Sequence, residues 1–201
     1  MGIEFENYHV FTSSIRGYLE SATDLYDGLH NVPFTIAENY KMMKNALSGE
    51  FLEGIVRPGK LEDTLIHFQE ARKNHEYTEE FYSPKSARKY MDTDHLKHLE
   101  LYKCYGELCQ ITHPAGDSLD VFLINQDYKY SFIEDDTKKI NKFIEEHTWQ
   151  FSELFMLSDN LCLLILKLLN KFSINQLYSH SVDKVNLSDI KAWKRIEKMI
   201  K

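Results

Sequence analysis

Arg16 and Glu20 stand four residues apart in the N-terminal part of the chain, which makes them neighbours on a helix surface. Such a pair is either an exposed ion pair worth a few tenths of a kcal/mol or a buried brace anchoring a polar pocket. Thr12, Thr23 and Asp27 continue the same polar face within an otherwise apolar segment. Far downstream, His95, His98, Tyr102, Tyr105, Cys109 and His113 line one stripe of the segment Thr93–Pro114. These groups hydrogen-bond, titrate or stack, and packed tyrosines and histidines with satisfied polar tips are the plain alternative to a site. His113 precedes Pro114, at a last helical turn where the dipole favours imidazolium. A histidine so placed is a candidate general acid or base, or a C-terminal cap.

Metal binding is the next chemistry to test. Cys109 with His113 and His95 with His98 are two workable ligand pairs. On one helix they lie about three turns apart, more than roughly 15 Å along the axis, so one ion cannot take both. No zinc pattern of paired short spacings is present, and no metal and no cofactor is expected. Phosphate-cradling glycine loops, dinucleotide fingerprints and nucleophilic triads are missing as well.

The elements that must position these groups read as helices. Thr93–Pro114 has N-cap residues at Asp92, Thr93 and Asp94 and a stop at Pro114; Leu101, Cys104, Leu108 and Ile111 give it an apolar face. Residues 7–29 repeat apolar side chains at three and four, with Phe11, Ile15, Tyr18, Ala22, Leu25 and Leu29 inward. Asn31-Val32-Pro33 breaks that helix, and Thr35 caps the next, which runs to Leu47. Glu50–Val56 reads as a short helix. Lys60 to about Glu80 reads as a long one, with Leu61, Leu65, Phe68 and Ala71 inward. Lys85–Tyr90 is a short helix leading into the Thr93 segment. The alternation over 118–132 reads as a small β-hairpin or an irregular loop. Residues 133–172 hold no proline or glycine, so they form one very long helix or two bent near Ser158-Asp159. The last helix is Asp189–Ile200, capped by Asn186-Leu187-Ser188.

With 201 residues, 43% of them hydrophobic, and only 8 glycines and 4 prolines, the chain suits one all-α bundle over 1–201, of four to five main helices. The net charge of −7 argues against strong non-specific nucleic-acid binding. Three cysteines without a CxxC pair, no signal peptide and no membrane-length apolar run point to a cytoplasmic protein with no membrane partner. Leu154–Leu169 is apolar on almost every side, which fits either a central helix or a homodimer surface.

Two segments carry a resemblance: SSIRGYLESATDLY, with Arg16-x-x-x-Glu20, and YGELCQITHP, ending His113-Pro114. Together they resemble bacterial proteins with a HEPN-like helical bundle, HEPN standing for higher eukaryotes and prokaryotes nucleotide-binding. The resemblance implies a bundle that is often dimeric, found in toxin–antitoxin and antiphage systems, and in many members a metal-independent ribonuclease. The family's Arg-x(4–6)-His motif has one formal match here, Arg88 to His95, with Lys89 where a polar residue usually follows. On this reading the catalytic candidates are His113, Arg16 and Glu20, with arginine holding a phosphate and histidine moving a proton. Tyr105, Tyr102 and His98 are the substrate-binding candidates, and RNA or a nucleotide is the expected ligand. The alternative is a non-catalytic module that binds a protein partner or dimerises.

Overall fold

The computed structural model describes residues 7–50, 59–73, 76–113, 118–119, 123–126, 129–132 and 136–201. The described chain is all-α apart from one small hairpin. The helices are α1 Tyr8–Leu29, α2 Val32–Glu38, α3 Tyr40–Leu47, α4 Gly59–Glu70, α5 Ala87–Met91 and α6 Leu101–Thr112. Strands β1 Leu123–Gln126 and β2 Lys129–Phe132 pair antiparallel, with Leu123 opposite Phe132. Then follow α7 Thr137–Asn170, α8 His180–Lys184 and α9 Lys191–Met199. The expected single bundle is divided into two compact units, residues 1–24 with 85–156 and residues 25–84 with 157–201.

In the first unit, α1 buries Tyr8, Phe11, Thr12, Leu19, Ala22 and Thr23. The buried face is turned from the one the apolar spacing suggests: Tyr18 is exposed while Thr12 and Thr23 are wholly buried. Burial is tolerable because each threonine hydroxyl is satisfied locally. Thr12 donates to the His9 carbonyl at 3.1 Å and Thr23 to that of Leu19 at 2.7 Å. With the face turned towards the threonines, Arg16 and Glu20 fall on its rim. Phe11 meets Phe143 of α7 edge-on at 5.8 Å.

The helix expected over Thr93–Pro114 is shorter. Residues 97–99 form a 3-10 turn, Glu100 takes a left-handed conformation with φ 51°, and α6 begins at Leu101. The physical reason is burial. Leu96, Leu99 and Leu101 are all fully enclosed, but an unbroken helix would put Leu99 about 200° round from Leu101, on the opposite face. The break at Glu100 lets all three face inward. Within the 133–172 stretch the structure has one helical run, the 34-residue α7.

In the second unit, Ile36, Tyr40, Leu164, Leu168, Phe172, Leu187, Trp193 and Ile196 belong to one buried core. As expected, the first helix stops ahead of Asn31-Val32-Pro33, at Leu29, and Pro33 sits in the first turn of α2, where its missing N–H costs nothing. Asn39 separates α2 from α3, so the Thr35–Leu47 helix is two. The helix expected to reach Glu80 stops at Glu70. Beyond it the Arg72 N–H donates to the Tyr82 carbonyl at 3.0 Å, and Leu65 and Phe68, expected inward, are exposed. Helix α9 starts two residues later than expected, because the Asn186 side chain accepts from the Ser188 N–H at 2.9 Å in a turn of its own. The short α8, not foreseen, is capped by Ser179. The expected helix Glu50–Val56 lies outside the described residues but for Glu50.

Candidate functional site

The first unit brings Arg16, Glu20 and Tyr105 together. Arg16 Nε donates to Glu20 Oε1 at 3.3 Å, and its Nη1 to Thr112 Oγ1 at 3.3 Å. Tyr105 donates its hydroxyl proton to the same Glu20 oxygen at 2.5 Å. The Arg16 guanidinium also lies over the Tyr105 ring, 5.5 Å from its centroid. The pair is neither fully exposed nor buried: side-chain exposure is 28% for Arg16 and 43% for Glu20. Sequence position explains the convergence. Tyr105, Cys109 and Thr112 fall on one side of α6, next to the buried stripe of Leu101, Cys104 and Leu108.

A second aromatic layer continues outward. Tyr102 stacks against Tyr105, with centroids 6.2 Å apart and planes at 23°. Arg88 covers Tyr102 at 5.2 Å and pairs with Asp92 at 3.1 Å. The result is a row of Arg16, Tyr105, Tyr102 and Arg88, with one cation on each side of a tyrosine pair. Residues 85–105 carry five lysines and arginines against three acids, in a chain of net charge −7, so the row lies in a locally basic stretch.

The remaining expected site residues stand apart. His113 occupies the C-cap of α6 in extended geometry, exposed, with its N–H bonded to the Cys109 carbonyl at 2.9 Å. Among the described residues no hydrogen bond or ion pair joins its ring to Arg16 or Glu20. His98 is exposed on the 3-10 turn and stacks on neither tyrosine. Arg88, the arginine of the formal Arg88–His95 match, pairs with Asp92 and lies over Tyr102.

Electrostatics fix what the site can do. Burial, helped by the hydrogen bond to Glu20, pushes the Tyr105 hydroxyl up to about 12. Tyr105 therefore keeps its proton near neutrality and is a donor, not a base. Glu20 accepts from both Arg16 and Tyr105 through the same oxygen, Oε1. The arrangement leaves the Arg16 guanidinium partly open and the Tyr102 ring partly exposed between Tyr105 and Arg88.

Thr112 and Arg88 belong to this row and were not singled out as site residues from the sequence. Thr112 is seven residues from Tyr105, two turns along the same face, and that spacing is the signal that marks it. A second polar cluster was also missed. His147, almost fully buried, lies 3.0 Å from Glu107 through Nε2, while its Nδ1 has no hydrogen-bond partner. Asp136 accepts the Tyr8 N–H at 3.0 Å. Among the described residues no group of three histidine, cysteine or acidic side chains is placed to hold a metal ion, and no helix is long and apolar enough to cross a membrane.

Comparison with protein-family models gives no match, and comparisons with curated proteins and with solved structures give none either.

Proposed function

We propose that this is a HEPN-like helical protein that binds a nucleotide or a short single-stranded RNA segment, without cleaving it at this site. The observation that carries the reading is the Arg16–Tyr105–Tyr102–Arg88 row. A partly open guanidinium suits a phosphate, and an exposed tyrosine flanked by arginine suits an unstacked base, at about 1–3 kcal/mol per stacked base. Glu20 and Tyr105 set the orientation of Arg16. Binding rather than hydrolysis is favoured because His113, the proton carrier expected from the sequence, has no bond to the pair it would serve.

The test is fluorescence anisotropy with a labelled six-nucleotide single-stranded RNA, competed with a nucleoside monophosphate. Saturable binding is expected, weakened roughly tenfold or more by Arg16→Ala and by Tyr102→Ala, and unchanged in His113→Gln. Gel analysis of the same RNA checks for cleavage. Cleavage by the wild type that disappears in His113→Gln would restore the ribonuclease reading, with a role in a toxin–antitoxin or antiphage system.

A second reading is a module that docks a protein partner or a second copy of itself. It draws on Trp149, Phe155 and Met156 of α7, each more than half exposed.

A further inference from the structure

The exposed apolar side chains of α7 within the first unit form a ridge with a consistent electrostatic rim. Trp149 and Met156 are seven residues apart and nearly in line along the helix, with Phe155 to one side. They are 54%, 55% and 56% exposed. Ser152, exposed and small, leaves a notch between them. The exposed charges beside it are Glu145, one turn before Trp149, and Glu146 and Glu153, both on the side of Trp149 away from Phe155. From Phe143 to Met156 the chain has no lysine or arginine. Just upstream in the sequence, Lys142 pairs with Glu146 at 3.7 Å, and the one histidine of the stretch, His147, faces inward, bonded to Glu107. Opposite this ridge the same helix is core, with Phe143 and Leu154 buried.

We propose that this acid-rimmed ridge docks a basic amphipathic helix of a partner protein. The inference rests on the partner-docking reading above and is independent of the Arg16 row. Charge selects the occupant. A second copy laid on the same ridge would bring glutamates against glutamates, and like-charge juxtaposition is costly. A helix with apolar residues at i, i+3, i+4 and i+7, flanked by lysine or arginine, covers Trp149, Phe155 and Met156 while its cations meet the rim. Lysine and arginine stems lie along apolar surface with their charges outward, and an exposed tryptophan face adds a cation–π contact. Met156 adapts to the shape presented.

The experiment uses the full chain and three synthetic 18-residue peptides: an amphipathic leucine/lysine helix, its scrambled isomer, and the leucine/glutamate counterpart. Calorimetry is paired with sedimentation of the protein alone. One-to-one binding of the amphipathic lysine peptide is expected, with affinity falling as salt rises. Trp149→Ser should weaken it about tenfold or more, and so should Glu153→Lys, which leaves the apolar residues in place and guards against a folding defect in the first variant. RNA binding should be unchanged in both variants. If the scrambled or the glutamate peptide binds equally well, the ridge is not selecting a basic helix and the inference is overturned. If the protein instead dimerises and Trp149→Ser abolishes the dimer, the docking reading stands and the proposed occupant is wrong. If no peptide binds and the protein is monomeric, both fail.

Discussion

Tyr105 and Cys104, neighbours on α6, show how burial sets what a side chain contributes. Tyr105 rises from an ordinary 10.0, and Cys104 from 9.0, each to about 12, with burial the main cause in both. A group with a raised folded-state value contributes stability that is fully present below its unfolded value and is lost as pH rises through the folded one. The protein should therefore lose stability between about pH 9 and 12, and urea midpoints measured from pH 8 to 11 should fall less steeply in Tyr105→Phe than in the wild type. An equal slope would mean that the hydroxyl titrates normally and that its bond to Glu20 is not formed in solution. The cysteines offer a second reading of burial. Cys104 is enclosed, Cys109 half-buried and Cys162 exposed. A thiol that is protonated and sealed is inert, so a colorimetric thiol reagent at pH 8 should modify Cys162 promptly and Cys104 only after denaturant is added. Arg16 and Glu20 were legible at this scale because a spacing of four is enough to pair them. His113 was legible only as the helix end: its place before Pro114 says where the helix stops, and nothing about which neighbour its ring meets.

Elements are governed by which side chains must be enclosed, and Glu100 is the clearest case. A non-glycine residue in the left-handed region is held at a cost of about 1 kcal/mol or more, here offset by burying Leu96, Leu99 and Leu101 together. Glu100→Gly relieves that strain and should raise stability by up to about 1 kcal/mol. In the continuous helix that the sequence suggests, the same change would lower stability by a similar amount, so the sign of the shift in a thermal melt distinguishes the two. Sequence periodicity found α1 and the proline-free α7 because each is a long run without breakers. It could not find the kink at Glu100, since Asp92-Thr93-Asp94 is an equally good start and only the tertiary need to enclose Leu99 decides. The same limit hid the role of Lys167, which interrupts an apolar run. Its ammonium, almost fully buried, donates to the Val182 and Val185 carbonyls at 3.2 and 3.0 Å and also to that of Asp183, closing the C-terminal end of α8. Lys167→Met keeps the length and removes the donors. It should cost about 2–4 kcal/mol in denaturant unfolding, because the carbonyls lose a charged partner.

At the scale of the whole molecule, charge constrains the ligand more than the fold does. A helical protein that gripped nucleic acid through its backbone would need many cations on one face; this one has 24 lysines and arginines against 31 acids. The acids are unevenly spread, with Glu145, Glu146 and Glu153 crowding one stretch of α7 while residues 85–105 carry a cationic excess. The proposed binding is then local: among the described residues Arg16 and Arg88 are the guanidiniums that meet the tyrosine pair. If each neutralises one phosphate of a single strand, counterion release gives a slope of about −1.4 in log affinity against log salt, at about −0.7 per phosphate. Stacking on Tyr102 adds a contribution that salt does not screen. The proposed site therefore predicts weak salt dependence, preference for a short single strand over a duplex whose bases are already stacked, and little gain in affinity once the RNA exceeds a few nucleotides. Anisotropy titrations of six- and twenty-nucleotide strands between 50 and 300 mM salt measure all three. Arg88→Ala should flatten the slope by about 0.7, and Tyr102→Ala should lower the affinity without changing the slope. A slope several times steeper, growing with RNA length, would place binding on an extended cationic surface and leave the Arg16–Arg88 row without the role proposed for it.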